Sequence, residues 1–272
     1  MTDRLPTIAI LGAGSMGGAI LAGLLASGAR DITVTNRSEA SAAPLRQTGV
    51  VSLATETTPD ANRAAVRTAR IVLLGVKPAQ VPDIVGEIAD DLPPDAVVVS
   101  LAAGVTIARI EALVPNPVVR VMPNTPALVG LAVTGLAAGA RVTAADVALV
   151  SALFATVGAV VEVPEAQIDA LSTVSGSGPA YVFYLIEQLT ATARNLGFDE
   201  ATARVLVEQT FRGASELLAA SDVPPAELRR RVTSPGGTTE RAIAELEAAE
   251  LTGLFDRATA SALARARELA AE

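Results

Sequence analysis

Three glycines near the amino end of the chain have the spacing that binds the pyrophosphate of a dinucleotide. Gly12, Gly14 and Gly17 separate a short apolar run from a helical pattern. The first glycine permits a tight turn, the second lets the backbone approach the phosphates, and the third lets the helix pack close to the strand. N–H groups at the start of that helix, at Ser15 and Met16, face the anion. The pattern predicts a cofactor site and, with it, redox chemistry.

The residues that follow the second predicted strand favour NADPH over NADH. An NAD site usually has a carboxylate at this place, which bonds the ribose 2′-hydroxyl. This chain has Asn36, Arg37 and Ser38 there instead. An amide, a guanidinium and a hydroxyl bind a 2′-phosphate that a carboxylate would repel. NADPH is therefore the predicted cofactor and NADH the second choice. The alternative is a solvated turn in which Ser38 caps a helix.

A second candidate site lies in the carboxyl-terminal half. Gly236 and Gly237 precede Thr238 and Thr239, at the start of a helical pattern that opens with Glu240. N–H and hydroxyl donors at a helix start can bind a carboxylate, with about 0.3–1 kcal/mol for each exposed contact. The loop therefore predicts a site for a small acid. The alternative is an elaborate helix cap.

Small residues at 175–178, followed by Pro179, interrupt another long apolar helical pattern. A packing patch with a proline kink would produce this composition. A functional break would produce it equally well, and the sequence does not choose between the two.

Composition excludes several kinds of chemistry. The chain has no histidine and no cysteine, so it lacks an imidazole acid–base group and thiolate ligands or nucleophiles, and no metal site is predicted. Lys77 is the one lysine. A net charge of −8 gives no general attraction to nucleic acid or to an anionic membrane. Without cysteine or a targeting segment, the cytoplasm is the expected location.

Near-continuous apolar runs separated by helical segments predict an α/β fold with a doubly wound parallel sheet. In such sheets the ligand lies outside the carboxyl ends of the strands. We therefore expect three segments that end strands to converge on the nicotinamide half of the cofactor: Lys77-Pro78, Ala102-Ala103-Gly104 and Met122-Pro123-Asn124.

The strand pattern ends near residue 163, and helical spacing follows. The helical runs are 167–196, 199–219, 224–231 and 237–271. We predict a Rossmann domain at 1–163 and an all-helical domain at 164–272. The uncharged residues 5–29 could also suggest a signal peptide or a membrane helix, but their six glycines argue against both.

Taken together, these motifs make the chain resemble the pyrroline-5-carboxylate reductases. The resemblance covers the whole chain and is most specific in 121–126, 175–179 and 233–239. It implies a Rossmann domain that holds NAD(P)H and a helical domain that interlocks with a second subunit, with the substrate site at the dimer interface. The implied reaction is NADPH-dependent reduction of the C=N bond of 1-pyrroline-5-carboxylate to proline, the last step of proline biosynthesis.

The resemblance also implies roles for individual residues. Asn62, near the adenosine, and Val76, beside Lys77, join the cofactor site. The expected catalytic residues are Thr239, Thr238 and Ser234, with Thr239 nearest the imine, and the expected substrate-binding residues are Gly236, Gly237, Ser177 and Asp222. Two positions depart from the family pattern: Asp222 replaces a longer glutamate, and Arg230 replaces an aspartate.

The implied chemistry suits a chain without histidine, because a protonated cyclic imine accepts hydride without a strong protein acid. A β-hydroxyacid dehydrogenase is one alternative, but it requires a lysine in the helical domain, and none follows Lys77. A non-catalytic NADP(H)-sensing protein on the same fold is the other alternative.

Overall fold

The structure is a computed structural model and describes residues 5–271. Strands and helices alternate in its first part: β1 Ile8–Leu11, α1 Ser15–Ala26, β2 Ile32–Asn36, α2 Glu39–Arg46, β3 Val51–Ala54, α3 Ala61–Val66, β4 Ile71–Leu74, α4 Val81–Ile88, β5 Val97–Ser100, α5 Ile107–Glu111, β6 Val118–Met122, β7 Ala132–Ala138, α6 Ala144–Phe154 and β8 Gly158–Glu162. Short 3-10 turns lie at Pro78–Gln80, Ala89–Asp91, Thr125–Val129 and Glu165–Gln167.

Helices make up the remainder of the described chain. They are α7 Ile168–Leu171, a π-helical turn at Ser172–Gly176, α8 Gly178–Asn195, α9 Glu200–Ala219, α10 Pro225–Arg231, α11 Thr238–Ala248 and α12 Leu251–Ala271. The predicted helical character of this part is confirmed. The run predicted at 237–271 is two helices, which part at Glu250, where φ is +47°.

The strands form one eight-stranded sheet in the order β3-β2-β1-β4-β5-β6-β7-β8. Neighbours are parallel except β6 and β7, which are antiparallel. The strand order reverses beside β1, with Ile8 facing Ile32 of β2 on one side and Ile71 of β4 on the other. This is the Rossmann arrangement, in which the ligand lies at the reversal. The predicted fold class is confirmed, whereas β7 was not predicted.

The central strands are rigid because both faces of the sheet are covered. Along β1, Ile8 and Ile10 belong to one buried cluster, and Ala9 and Leu11 belong to the other. Burying a large aliphatic side chain contributes about 1.5–3 kcal/mol. The strand ends that carry the predicted cofactor residues are therefore held by a packed core.

The chain divides into two compact units. The first comprises the residues up to Ser177 together with those from Ala262, and the second comprises Gly178–Ser261. We call them the cofactor unit and the helical unit. The domain boundary predicted after residue 163 coincides with the end of the sheet and stays a prediction.

The helical unit has a small buried centre. Ala193, Ala203 and Val207 form it, with Ile186 and Phe211 packed against them. No helix among the described residues has the length and apolarity needed to cross a membrane. The uncharged residues at the amino end contribute β1 and α1, with a glycine turn between them.

Candidate cofactor and substrate sites

The glycine turn is held by unusually close contacts. Gly12 has φ of +91°, which favours glycine. A Cβ atom on Gly17 would lie 2.5 Å from the Gly12 carbonyl oxygen, and one on Gly75 would lie 2.3 Å from the same atom. A Cβ atom on Gly14 would meet nothing within 4 Å. Gly17 and Gly75 therefore fix the turn, while Gly14 leaves the backbone open to a ligand, as the spacing predicts.

A cleft of about 670 Å³ opens beside this turn, within the range of ligand pockets, about 300–1,000 Å³. Eight predicted cofactor residues line it: Gly12, Gly14, Asn36, Arg37, Ser38, Asn62, Val76 and Lys77. Its other lining residues were not predicted: Leu11, Thr35, Ser41, Thr55, Pro59, Gly75, Gln80, Ile84 and Glu87. Gly75 could have been predicted from the sequence, because it directly follows a buried strand and directly precedes the predicted residue Val76.

Two groups at the end of β2 can bind a phosphate. The side-chain oxygen of Asn36 accepts the N–H of Ala13 at 3.0 Å. Its Nδ2 atom is buried and has no hydrogen-bond partner within the described chain. Arg37 is exposed, and its guanidinium makes no hydrogen bond or ion pair with a described residue. Both side chains thus have donors left for an anionic group, which fits NADP.

A carboxylate missed by sequence reasoning lies beside these donors. Glu56 Oε1 accepts the N–H of Glu39, at the start of α2, at 2.5 Å. The backbone N–H of Glu56 donates to the carbonyl of Arg37 at 3.1 Å. Glu56 follows β3, the neighbour of β2, so the Rossmann strand order could have located it. A carboxylate at this place would oppose a phosphate bound near Arg37.

Asn62 lines the cleft, but its amide is held by the protein. Its Oδ1 atom accepts the hydroxyl of Thr35 at 2.7 Å, and its Nδ2 atom donates to Glu87 Oε2 at 3.0 Å. Asn62 is buried, whereas Glu87 is exposed. The orientation of the amide is therefore fixed from both ends.

The remaining predicted cofactor residues lie outside the cleft lining. Ser15, Met16 and Gly17 form the first turn of α1. The others end or follow β4, β5 and β6: Pro78, Ala102, Ala103, Gly104, Met122, Pro123 and Asn124. Their places at the helix start and at the strand ends agree with the predicted topology. Their contacts with a cofactor stay predictions.

The predicted acid-binding loop ends at the start of α11. Gly236 has φ of +73°, and its N–H donates to Glu240 Oε2 at 2.9 Å. Gly237 donates to the carbonyl of Ser234, also at 2.9 Å, and supplies no side-chain cap to the helix. Thr238 and Thr239 thus occupy a first turn whose N–H groups have no intrahelical partner. Glu240 uses one donor of the loop, as in a helix cap, and the first-turn N–H groups are left for a carboxylate. The loop is therefore compatible with both predicted roles.

Two other predicted substrate residues, Asp222 and Ser177, lie outside this loop in the sequence. Asp222 is exposed between α9 and α10, and no hydrogen bond to a described residue of the loop holds it there. The N–H of Ser177 donates to the carbonyl of Ser172 at 2.9 Å, which closes the π-helical turn. Substrate contacts of both residues stay predictions.

Arg230 belongs to a solvated helix face. Its guanidinium binds Glu227 through two hydrogen bonds of 2.7 and 2.8 Å, and its side chain is 72% exposed. Hydrogen bonds from Arg230 and then Arg231 lower the pKa of Glu227 to about 2. The departure from the family pattern at Arg230 is thus accommodated on the surface of α10.

A Rossmann sheet, a glycine-turn cleft and a helical unit with a donor-rich loop define a dinucleotide-dependent oxidoreductase. Residues 165–269 match the family model for pyrroline-5-carboxylate reductase dimerisation, and residues 7–104 match "NADP oxidoreductase coenzyme F420-dependent". The chain belongs to the pyrroline-5-carboxylate reductase family, so the predicted membership is confirmed.

Relatives support this assignment over the full length. The chain is 41% identical to pyrroline-5-carboxylate reductase of Pseudomonas aeruginosa over 97% of each chain. The structure of the enzyme from Coxiella burnetii superposes with a TM-score of 0.91 at 38% identity, covering 98% of this chain and 99% of that one. The Plasmodium falciparum enzyme, solved with NADP bound, gives 0.81 at 26% identity, covering 97% and 98%.

Proposed function

We propose that this protein transfers a hydride from NADPH to the C=N bond of 1-pyrroline-5-carboxylate and so produces proline. The observation that carries the proposal is the cleft at Gly14. It combines an open backbone approach with unpaired donors on Asn36 and Arg37. Relatives named for this activity match across nearly the whole chain, which supports the same reaction.

The cofactor, when bound, supplies the hydride. The N–H groups of the turn at Gly12 and Gly14, at the start of α1, bind the pyrophosphate. Asn36 and Arg37 bind the 2′-phosphate, since a planar guanidinium matches phosphate geometry. Lys77 lines the cleft, and it would contact the nicotinamide half mainly through the backbone of its turn. NADH is the weaker substitute in this arrangement, because it offers these donors no phosphate.

The helical unit holds the substrate. The first-turn N–H groups of α11 bind the carboxylate, contributing up to ~2 kcal/mol where the contact is partly buried. Thr239 is half-buried and offers its hydroxyl to the ring nitrogen, while Thr238 and Ser234 border the same loop. The imine enters already protonated, so the hydride adds to its carbon and the nitrogen keeps its proton. No strong acid from the protein is needed.

We also propose that the helical unit pairs with a second copy of the chain. The match of residues 165–269 to a dimerisation model and the exposed apolar side chains of the unit support this. We propose no nucleic-acid or membrane partner. A cytoplasmic location stays a prediction.

A non-catalytic NADP(H)-sensing protein is the second candidate. The bond from Gly236 N–H to Glu240 favours it, because a loop that serves only as a helix cap would use its donors in this way. The two candidates differ in turnover and agree in NADPH binding.

Purified protein supplied with pyrroline-5-carboxylate and NADPH separates them. We expect NADPH to be consumed by the wild type, and Thr239→Ala to lower kcat by about 10- to 100-fold. The Kd for NADPH should change by less than about 2-fold, because the threonine lies in the helical unit. Thr252→Ala is the matched control, since this exposed threonine lies in the first turn of α12. NADPH binding without any imine reduction by the wild type would establish the sensor.

A further inference from the structure

The side chain of Asn124 is used entirely within the protein. It lies directly after β6 and is 8% exposed. Its Oδ1 atom accepts the N–H of Val133, in β7, at 2.9 Å. Its Nδ2 atom donates to the carbonyl of Ser175, in the π-helical turn, also at 2.9 Å. The amide thus joins the turn after β6 to both β7 and the small-residue run.

The Ser175 carbonyl accepts a hydrogen bond from outside its own helix. In an α-helix this carbonyl would accept the N–H of the residue four positions on. That residue is Pro179, which has no N–H. A half-buried carbonyl without a partner is costly, so the amide of Asn124 replaces the missing bond.

The helix around Ser175 is also distorted. The N–H of Ser177 donates to the carbonyl of Ser172, five positions back, and this bond widens the turn. Such π-helical turns occur frequently at functional sites. A Cβ atom on Gly176 would lie 2.8 Å from the hydroxyl of Ser172, so the widened turn is also closely packed.

We propose that Asn124 is a positioning residue, which fixes the segment Met122–Asn124 against the π-helical turn that the N–H of Ser177 closes. The sequence assigned the first segment to the cofactor and Ser177 to the substrate. The link between these segments sets the distance between the cofactor and the substrate. Misplacement of reacting groups by about 1 Å can lower the rate about 100-fold. This assigns the side chain a role different from direct cofactor contact. It rests on the proposed function, because both segments must serve the same reaction.

Asn124→Ala and Pro179→Ala test the coupling as a double-mutant cycle. We expect Asn124→Ala to lower kcat by about 10- to 100-fold and to change the Kd for NADPH by less than about 3-fold. Pro179→Ala supplies an N–H four positions after Ser175, which can compete for the same carbonyl. The double variant should therefore recover about 5-fold or more of the kcat lost in Asn124→Ala. A rise in Kd that matches the fall in kcat, or no recovery in the double variant, would overturn the proposal.

Hydrogen exchange gives a readout that does not depend on turnover. Backbone amides within residues 172–178 should exchange about 10-fold faster in Asn124→Ala than in the wild type. Asn124→Asp is the second variant if alanine prevents folding. It keeps an acceptor for Val133 but places a carboxylate against the Ser175 carbonyl, and should accelerate the same amides. Unchanged exchange would overturn the coupling. A wild type that reduces no imine would instead refute the proposed function. The exchange rates would still decide whether Asn124 holds the π-helical turn.

Discussion

The two units of this protein differ in how completely they bury their apolar side chains. In the cofactor unit, Ile10, Leu73 and Val99 of the sheet are completely buried. In the helical unit, Phe183 and Val205 are 67% and 65% exposed. Helices with such exposed apolar faces mark an interaction surface. The sheet of the cofactor unit is thus covered within one chain, whereas α8 and α9 of the helical unit leave apolar side chains exposed, as expected of a unit that matches a dimerisation model.

Replacing Gly17 by alanine should break the cofactor unit most severely. A Cβ atom there collides with the Gly12 carbonyl, so we expect a loss of about 2–3 kcal/mol in unfolding free energy and about 100-fold in NADPH affinity. Gly18→Ala is the control on the same helix, because its Cβ would lie 3.8 Å from the nearest atom. Denaturant unfolding and NADPH titration measure both. Equal behaviour of the two variants would refute the close-packed turn.

Phe183→Asp should have the next largest effect, on the helical unit. A buried charge in a subunit interface is unfavourable, so we expect self-association to weaken by about 10- to 100-fold. Leu113→Asp is the control in the cofactor unit, where the leucine is 41% exposed. Sedimentation equilibrium measures the change. If both variants associate like the wild type, the exposed face is not the interface.

Acid should weaken the cofactor unit through Asp146. Burial raises the pKa of Asp146, but hydrogen bonds from Arg70, at 2.5 Å, and from Thr143 outweigh this and hold it below 3.8. A lowered pKa stabilises the fold above the unfolded value, and that stability is lost as pH falls through the folded value. Asp146→Asn should therefore cost about 1–3 kcal/mol at neutral pH, and the difference from wild type should vanish under strong acid.

The matched control for this ion pair is Asp95→Asn. Asp95 lies 3.5 Å from the same guanidinium but is 74% exposed, so its replacement should have little effect. Urea unfolding from pH 7 to about pH 2 compares the two variants. A difference between Asp146→Asn and wild type that grows on acidification would show that the ionised Asp146 does not stabilise the fold.

Charge reversal at the cleft should give the smallest changes. Arg37→Asp removes the phosphate donor and should shift preference toward NADH by about 10-fold. Glu56→Gln removes the opposing carboxylate and should strengthen NADPH binding by about 2- to 5-fold. Arg109→Asp is the control, because Arg109 is exposed on α5 and lies outside the cleft lining. Titration with NADPH and NADH measures the ratio, and an unchanged preference in both variants would exclude a phosphate site at Arg37.

The sequence predicted most of the sheet because its central strands are continuous apolar runs. It did not predict β7, whose residues 132–138 are mainly small and follow two prolines. That strand forms through antiparallel pairing with β6 and through Gly135, which leaves room for the side chain of Leu171. Such support comes from residues distant in the chain, so local propensity could not reveal it.

The sequence located the cofactor cleft better than it described individual contacts. Glycine spacing and strand ends indicated where the cleft lies, because both depend on local geometry. The orientation of Asn62 and Asn124 depends on Glu87 and Ser175, which lie far along the chain. The split between α11 and α12 lies at Ala249 and Glu250, neither of which is glycine or proline, and Glu250 has a positive φ.

The close packing of Gly17 and Gly75 against the Gly12 carbonyl limits how this turn can evolve. In most packed cores, a larger residue can be tolerated when a neighbour becomes smaller. No amino acid is smaller than glycine, so none of these three positions can compensate for growth at another. Paired compensating substitutions are therefore impossible in this turn. We expect its three glycines to be retained even in relatives that differ in substrate or assembly.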